Sequence, residues 1–302
     1  MVDITHKKNT LRIAIAQAIV KVSSPATITA IQEGTVPKGD VFAASKAAGL
    51  LGVKKTADLL PDCHPMPIEY TNIEFEVIGL DIKVTVTVKT IYKTGVEVEA
   101  MHAASVVALN MYDMLKPIDK GIEIHQIKLI EKKGGKSDYQ PKYPENITAG
   151  VIVCSDSIAG GKGEDKAGKV ICEKLEELAV DVSEYTVIPD EVTVIQEKLK
   201  ECLAAQIPLV IFTGGTGLSP RDVTPEAIVP LLDKRISGVE EAIRKYGQDR
   251  MPYAMLSRSV AGTIGNTLVI ALPGSTKGAS ESMDAIFPHV LHIFKVLRGE
   301  RH

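Results

Sequence analysis

The sequence predicts two units in tandem, an α+β half followed by an α/β half. Three observations carry this. In the first half, the strand-like segments alternate apolar and polar residues, as sheets with one packed face do. In the second half most are continuous apolar runs that alternate with helices, the signature of a mostly parallel sheet covered on both faces. Between the halves, residues 137–147 are polar, contain two prolines and have no period. The units are therefore set at 1–137 and 148–302, joined by a linker at 138–147.

Taken in order, residues 11–20 alternate as a strand. Residues 40–51 and 54–60 read as helices. Residues 72–78 and 82–91 flank Gly79 and Asp81, a hairpin. Residues 97–115 form a helix rich in Ala, Val and Met, and 122–130 a closing strand. This order is that of a ferredoxin-like antiparallel sheet with helices on one face. In the second half, strands are expected at 147–154, 182–188, 208–212 and 268–272. Helices are expected at 166–178, at 192–204, from Thr224 and Pro225 onward, and at 277–297.

A chain of 302 residues suffices for two cores. Its net charge of −3 favours neither nucleic acid nor an anionic membrane, so an anionic substrate must meet local basic groups. Tryptophan is absent and aromatics are 4%, which leaves few stacking platforms for bases. The cysteines, Cys63, Cys154, Cys172 and Cys202, contain no C-x-x-C pair. They fit a reducing, cytoplasmic location better than a disulfide framework. No apolar run reaches membrane-spanning length.

The richest segment is Thr213-Gly214-Gly215-Thr216-Gly217-Leu218-Ser219-Pro220-Arg221-Asp222, at the end of an apolar strand. Three glycines and adjacent hydroxyls let the backbone approach an anion closely. The Asp156–Ser157 turn, Pro189-Asp190-Glu191 and Pro273-Gly274-Ser275 should lie at the same carboxyl end of the sheet, where open α/β folds bind ligands. Asp190 and Asp222 suit Mg²⁺, although Asp190 could instead cap the following helix. No P-loop exists: ahead of Gly135-Lys136-Ser137, the position that needs glycine is Ile130.

The block running from Thr213 to Ala227, with Pro189-Asp190-Glu191 and Pro273-Gly274-Ser275, resembles the molybdopterin adenylyltransferase family of molybdenum cofactor biosynthesis. The resemblance implies transfer of an adenylyl group from ATP, with Mg²⁺, to the terminal phosphate of molybdopterin. It places the acidic functional positions on Asp190 and Asp222. It places the pterin and nucleotide loops on Asp156, Ser157, Gly214, Gly215, Thr216, Gly217 and Ser275. Members that bind pterin without catalysis share the fold, which leaves a binding module as the other reading.

In the first half, Asp113 and Lys116 are three apart on one helix and share a face. Glu97 and Glu99 do not, though both could reach a pocket at the helix start. Lysines gathered beside one another suit phosphate binding, and a desolvated one would have a lowered pKa and act in proton transfer. Lys38-Gly39-Asp40, Cys63-His64-Pro65, Lys93-Thr94-Gly95-Val96-Glu97, Tyr112-Asp113-Met114 and Gly134-Gly135-Lys136-Ser137 together resemble the cyclic pyranopterin monophosphate synthases of the same pathway. The resemblance implies conversion of 3′,8-cyclo-7,8-dihydro-GTP to cyclic pyranopterin monophosphate and pyrophosphate. It implies sites formed between subunits of a homo-oligomer. It assigns acid–base and phosphate contacts to Lys38, His64, Asp113, Lys116 and Lys136, and pocket positions to Glu97 and Glu99. Asp3, Lys7 and Arg12 become substrate contacts. Two positions depart from that family. Asp62 replaces an apolar residue and could add negative charge beside His64, and Val98 replaces a methionine.

Overall fold

The computed structural model describes residues 1–135, 138 and 146–299. The chain divides into two compact units, Met1–Tyr139 and Gln140–His302. The expected linker at 138–147 falls mostly outside the described residues.

The first unit runs β1 (Thr10–Lys21), α1 (Pro25–Gln32), α2 (Val41–Lys54), α3 (Thr56–Leu59), β2 (Tyr70–Ile78), β3 (Asp81–Tyr92), α4 (Glu97–Leu115) and β4 (Glu123–Lys133). Its antiparallel sheet has the order β2-β3-β1-β4, as the ferredoxin-like reading requires. Along β1, Ala14, Ala16, Ala18 and Val20 point into the core, matched by Ile82, Val84, Val86 and Val88 on β3. These small and β-branched side chains form a shallow floor. On it α4 lays Ala100, Ala103, Ala104, Val107, Ala108 and Met111, the stripe that a 3.6-residue period puts on one side. Helix α2 packs on α4 through Gly49, where an added Cβ would stand 2.4 Å from Val107 Cγ2. Helix α1 was not foreseen, although Ser24 caps it by accepting from Ala26 N and Pro25 occupies its first turn.

The second unit runs β5 (Thr148–Cys154), α5 (Asp156–Ala159), α6 (Ala167–Glu176), β6 (Asp181–Ile188), α7 (Val192–Ala204), β7 (Leu209–Thr213), α8 (Thr224–Ile228), β8 (Lys234–Arg235), α9 (Ser237–Gln248), β9 (Val260–Ile264), β10 (Thr267–Leu272), α10 (Thr276–Ile286) and α11 (Ile293–Leu297). The sheet order is β6-β5-β7-β10-β9-β8. The first four strands are parallel, and β9 and β8 add an antiparallel edge. One apolar face packs Ile171, Leu175, Ile243 and Met283 from α6, α9 and α10. The other packs Ile195, Leu199, Ala227 and Ile228 from α7 and α8. Both faces are covered, as continuous apolar strands demand.

The expected final helix at 277–297 is broken. Helix α10 stops at Ile286 because Pro288 has no amide hydrogen to continue the ladder, and the chain resumes as a short 3₁₀ turn and α11. No helix among the described residues is long and apolar enough to cross a membrane.

Candidate functional sites

Four loops of the second unit meet at the carboxyl ends of β5, β6, β7 and β10. Gly214 lies at φ +104°, and an added Cβ would stand 2.1 Å from the carbonyl oxygen of Cys154. Glycine is therefore required where β7 leaves the sheet beside β5. Gly214 N donates to Leu272 O at 3.1 Å, and Thr213 Oγ1 donates to Pro273 O at 2.9 Å, tying this loop to the one after β10. There Ser275 caps α10 by accepting from Gly278 N, and its side chain stays at the surface.

The two acidic turns brace each other. Asp156 N donates to Asp190 Oδ2 at 3.1 Å, and Asp190 N donates to Asp156 Oδ1 at 3.0 Å. Arg221 reaches across to Asp156 Oδ2 through Nε at 2.9 Å and Nη2 at 2.7 Å. That ion pair holds the Asp156 carboxyl below the usual range, helped by the Asp190 amide. Arg221 thus serves Asp156 rather than its neighbour Asp222, a partnership 65 residues long that the sequence did not suggest. Ser157 Oγ lies 3.1 Å from Ser155 Oγ.

Asp190 does not cap α7: Glu191 occupies the cap position, without a side-chain bond. Its Oδ1 is buried and, among the described residues, has no hydrogen-bond partner. Burial, followed by the charges of Asp156 and Asp222, pushes its pKa up. Gly215 supplies the space beside it, since a Cβ there would stand 2.8 Å from Oδ1 and 2.4 Å from Thr224 Oγ1. Asp222 is fixed by Ser219 N, which donates to its Oδ2 at 2.7 Å, and Gly217 leaves room for the same oxygen. An orphaned, buried carboxylate oxygen close to a second carboxylate is a fit for a hard divalent cation. Among the described residues no three His, Cys, Asp or Glu side chains gather as a metal site. Two carboxylates suit Mg²⁺ that takes its other oxygens from water and phosphate.

In the first unit the candidate residues form two groups. At the end of α4, Asp113 accepts from Lys38 Nζ at 2.6 Å through Oδ2 and from Lys116 Nζ at 2.7 Å through Oδ1. Lys116, then Lys38, hold the Asp113 carboxyl down to about 2. Asp113 in turn raises the pKa of Lys116. This corrects the expectation of a lysine lowered by desolvation: Lys116 is exposed and its ammonium is stabilised.

The other group lies at the start of α4. Glu99, 2% exposed, points inward and accepts from Cys63 Sγ at 3.1 Å. Glu97 folds back over Gly95 and faces Lys132 Nζ at 3.5 Å. The two glutamates thus take different partners at the start of α4, while the charge of Glu97 still acts on Glu99. His64 Nε2 sits 2.8 Å from Val2 O, which brings residues 1–3 to the Cys-His-Pro turn. Asp62 turns away to the Met1 ammonium at 2.9 Å, and its side chain is 94% exposed. Arg12 donates to the carbonyls of Tyr92 and Lys93, both at 3.2 Å. Asp3 accepts from Thr5 N at 2.8 Å, which lowers its pKa, and Lys7 is half-buried. Lys136 lies outside the described residues. At 1.5 Å per residue, Glu97 and Asp113 stand about 24 Å apart along α4.

The model of the MoaC family matches residues 1–135, and that of the probable molybdopterin binding domain matches residues 150–292. A molybdenum cofactor biosynthesis bifunctional protein of Chlorobaculum tepidum is 39% identical over all of this chain and 96% of its own length. One of the same description from Synechococcus elongatus is 37% identical, over 100% and 98%. A cyclic pyranopterin monophosphate synthase of Syntrophomonas wolfei is 48% identical over 46% of this chain and 89% of its own. With both halves matched in one continuous alignment, the chain belongs to the family of bifunctional molybdenum cofactor biosynthesis proteins.

Proposed function

We propose that the protein carries out two steps of pterin cofactor assembly. The first unit converts 3′,8-cyclo-7,8-dihydro-GTP to cyclic pyranopterin monophosphate and pyrophosphate. The second adenylylates molybdopterin with ATP. For the second unit the reading rests on the orphaned Asp190 Oδ1 beside Asp222, a pair of carboxylates that pterin binding alone does not require.

In the first unit, Lys38 and Lys116 supply positive charge for a phosphate. Lys116 enters the reaction as a proton donor, since Asp113 favours its charged form. His64, Glu97, Glu99, Arg12, Asp3 and Lys7 bind the pterin and ribose portions from the other end of α4. A separation of about 24 Å is too long for one pterin nucleotide to bridge within a chain. That distance supports a site shared between two copies, the Lys38–Asp113–Lys116 end of one meeting the His64 end of its partner.

In the second unit, backbone amides of Gly215, Thr216 and Gly217 and of Ser157 hold phosphate, Gly214 supplies the turn that brings them there, and Ser275 borders the pterin. Asp190 and Asp222 would hold Mg²⁺, which when bound offsets the charge of the phosphates.

The test is a paired assay on the full-length chain, with the cyclised GTP precursor in one arm and molybdopterin, ATP and Mg²⁺ in the other. Lys116→Ala should silence only the first arm and Asp222→Asn only the second. Tight pterin binding without adenylylated product would reduce the second unit to a binding module.

A further inference from the structure

Arg258 lies between α9 and β9, 41 residues from Gly217 in sequence, yet it grips the glycine loop at three carbonyls. Its main-chain N–H donates to Thr216 O at 2.9 Å. Its Nε donates to Gly217 O at 2.7 Å and its Nη2 to Asp222 O at 2.6 Å. Nη1 pairs with the Glu226 carboxylate. These bonds bracket the exposed excursion Leu218–Arg221, fixing the residue on each side of it. Within the bracket, Ser219 N donates to Asp222 Oδ2, and Gly217 makes room for that oxygen. The position of the Asp222 carboxylate therefore follows from the two backbone points that Arg258 holds.

We infer that Arg258 is a positioning residue for the adenylyl-transfer site, setting the Asp222 carboxylate by clamping Gly217 and Asp222 through one guanidinium. The inference rests on the reading of Asp222 as a cation-holding group. Arg258 acts through the loop: among the described residues, every hydrogen bond of its side chain goes to a loop carbonyl or to Glu226. Charge alone does not supply the role. A lysine ammonium offers its donors from one point, whereas the guanidinium sends Nε and Nη2 to carbonyls five residues apart.

The experiment compares the full-length wild type with Arg258→Gln, Arg258→Lys and Glu226→Gln. Amide hydrogen exchange across residues 215–222 reads the clamp without reference to activity. Both Arg258 variants should exchange about tenfold faster there, with β7 and β10 unchanged, while Glu226→Gln matches the wild type. In the adenylylation assay the Arg258 variants should lose about 100-fold in kcat, the scale of a misplaced group. Their half-saturating Mg²⁺ should rise while the KM for molybdopterin stays within twofold. If Arg258→Gln does not fold, Arg258→Lys, which keeps charge and stem, carries the same readings. Unchanged loop exchange overturns the inference, as does faster exchange throughout the unit with an unaltered Mg²⁺ requirement. Wild type that makes no adenylylated product defeats the proposed reaction instead, and the exchange arm still decides whether Arg258 holds the loop.

Discussion

The thiol of Cys63 donates to Oε1 of Glu99 across 3.1 Å, in the first turn of α4, where the carboxyl is almost wholly out of water. Burial pushes Glu99 up, and burial with the neighbouring carboxylate pushes Cys63 up to about 12. A carboxyl whose folded pKa exceeds its unfolded value contributes stability that is complete below the unfolded value. That stability is lost as pH rises through the folded value. Glu99→Gln should therefore raise the Tm at pH 8 relative to wild type, with the gain shrinking toward about pH 4, where both forms are neutral. A gain independent of pH in thermal unfolding would mean that Glu99 does not carry the charge penalty.

On the proposed roles, Asp113 and Lys116 should set the pH response of the first reaction. With Asp113 held down to about 2, no acid limb from this group should appear above about pH 4 in the rate profile. Asp113→Asn removes the partner that raises Lys116, so the alkaline limb should move to lower pH. Lys116→Ala should cost at least about 100-fold in kcat, as loss of a proton-transfer group does. An alkaline limb that stays in place in Asp113→Asn would assign it to another residue.

The two ends of α4 predict complementation. Lys116→Ala and His64→Ala should each be inactive in pyranopterin formation. Mixed after dissociation and reassembly, they should recover roughly a quarter of wild-type activity, because half of the symmetric pairs are mixed and each then holds one intact site of two. No recovery, with mixed oligomers demonstrated by mass, would place both groups in one chain's site.

Asp190 should behave as a group whose charge the isolated fold opposes. Its pKa is raised, so the associated stability is present below the ordinary aspartate value and fades as pH rises through the folded one. Asp190→Asn should then melt higher than wild type at pH 7.5 without cation. Mg²⁺ with ATP should raise the Tm of the wild type and leave the variant unmoved, read by differential scanning fluorimetry.

Much of this architecture was legible because it rests on local patterns. Apolar–polar alternation in β2 and β3 marked one packed face, and α4 and α7 match the expected 97–115 and 192–204. The antiparallel edge was not legible. Strand β8 has two residues, and β9, Val260-Ala261-Gly262-Thr263-Ile264, shows no alternation, so its pairing is set by β10. The break before Pro288 was written in the sequence but masked by apolar residues on both sides.

The site divides in the same way. Gly214, Gly215, Gly217, Asp190 and Asp222 could be picked out because their segments sit at strand ends. Contacts made over long separations were not visible: Arg221 with Asp156, Arg258 with the loop, and Cys63 with Glu99 join residues whose spacing follows no period. The orientation of Glu97 and Glu99 depended on where α4 begins, a boundary that propensity leaves loose.

The length of α4 has a consequence for the protein in dilute solution. If the first reaction needs the far ends of two copies of this helix, its rate per chain falls as the oligomer dissociates. The Asp190–Asp222 site, gathered from loops of a single unit, should keep its own rate in the adenylylation proposed for it. The ratio of the two activities then becomes a gauge of assembly, reporting how much of the protein is joined without any label or size measurement.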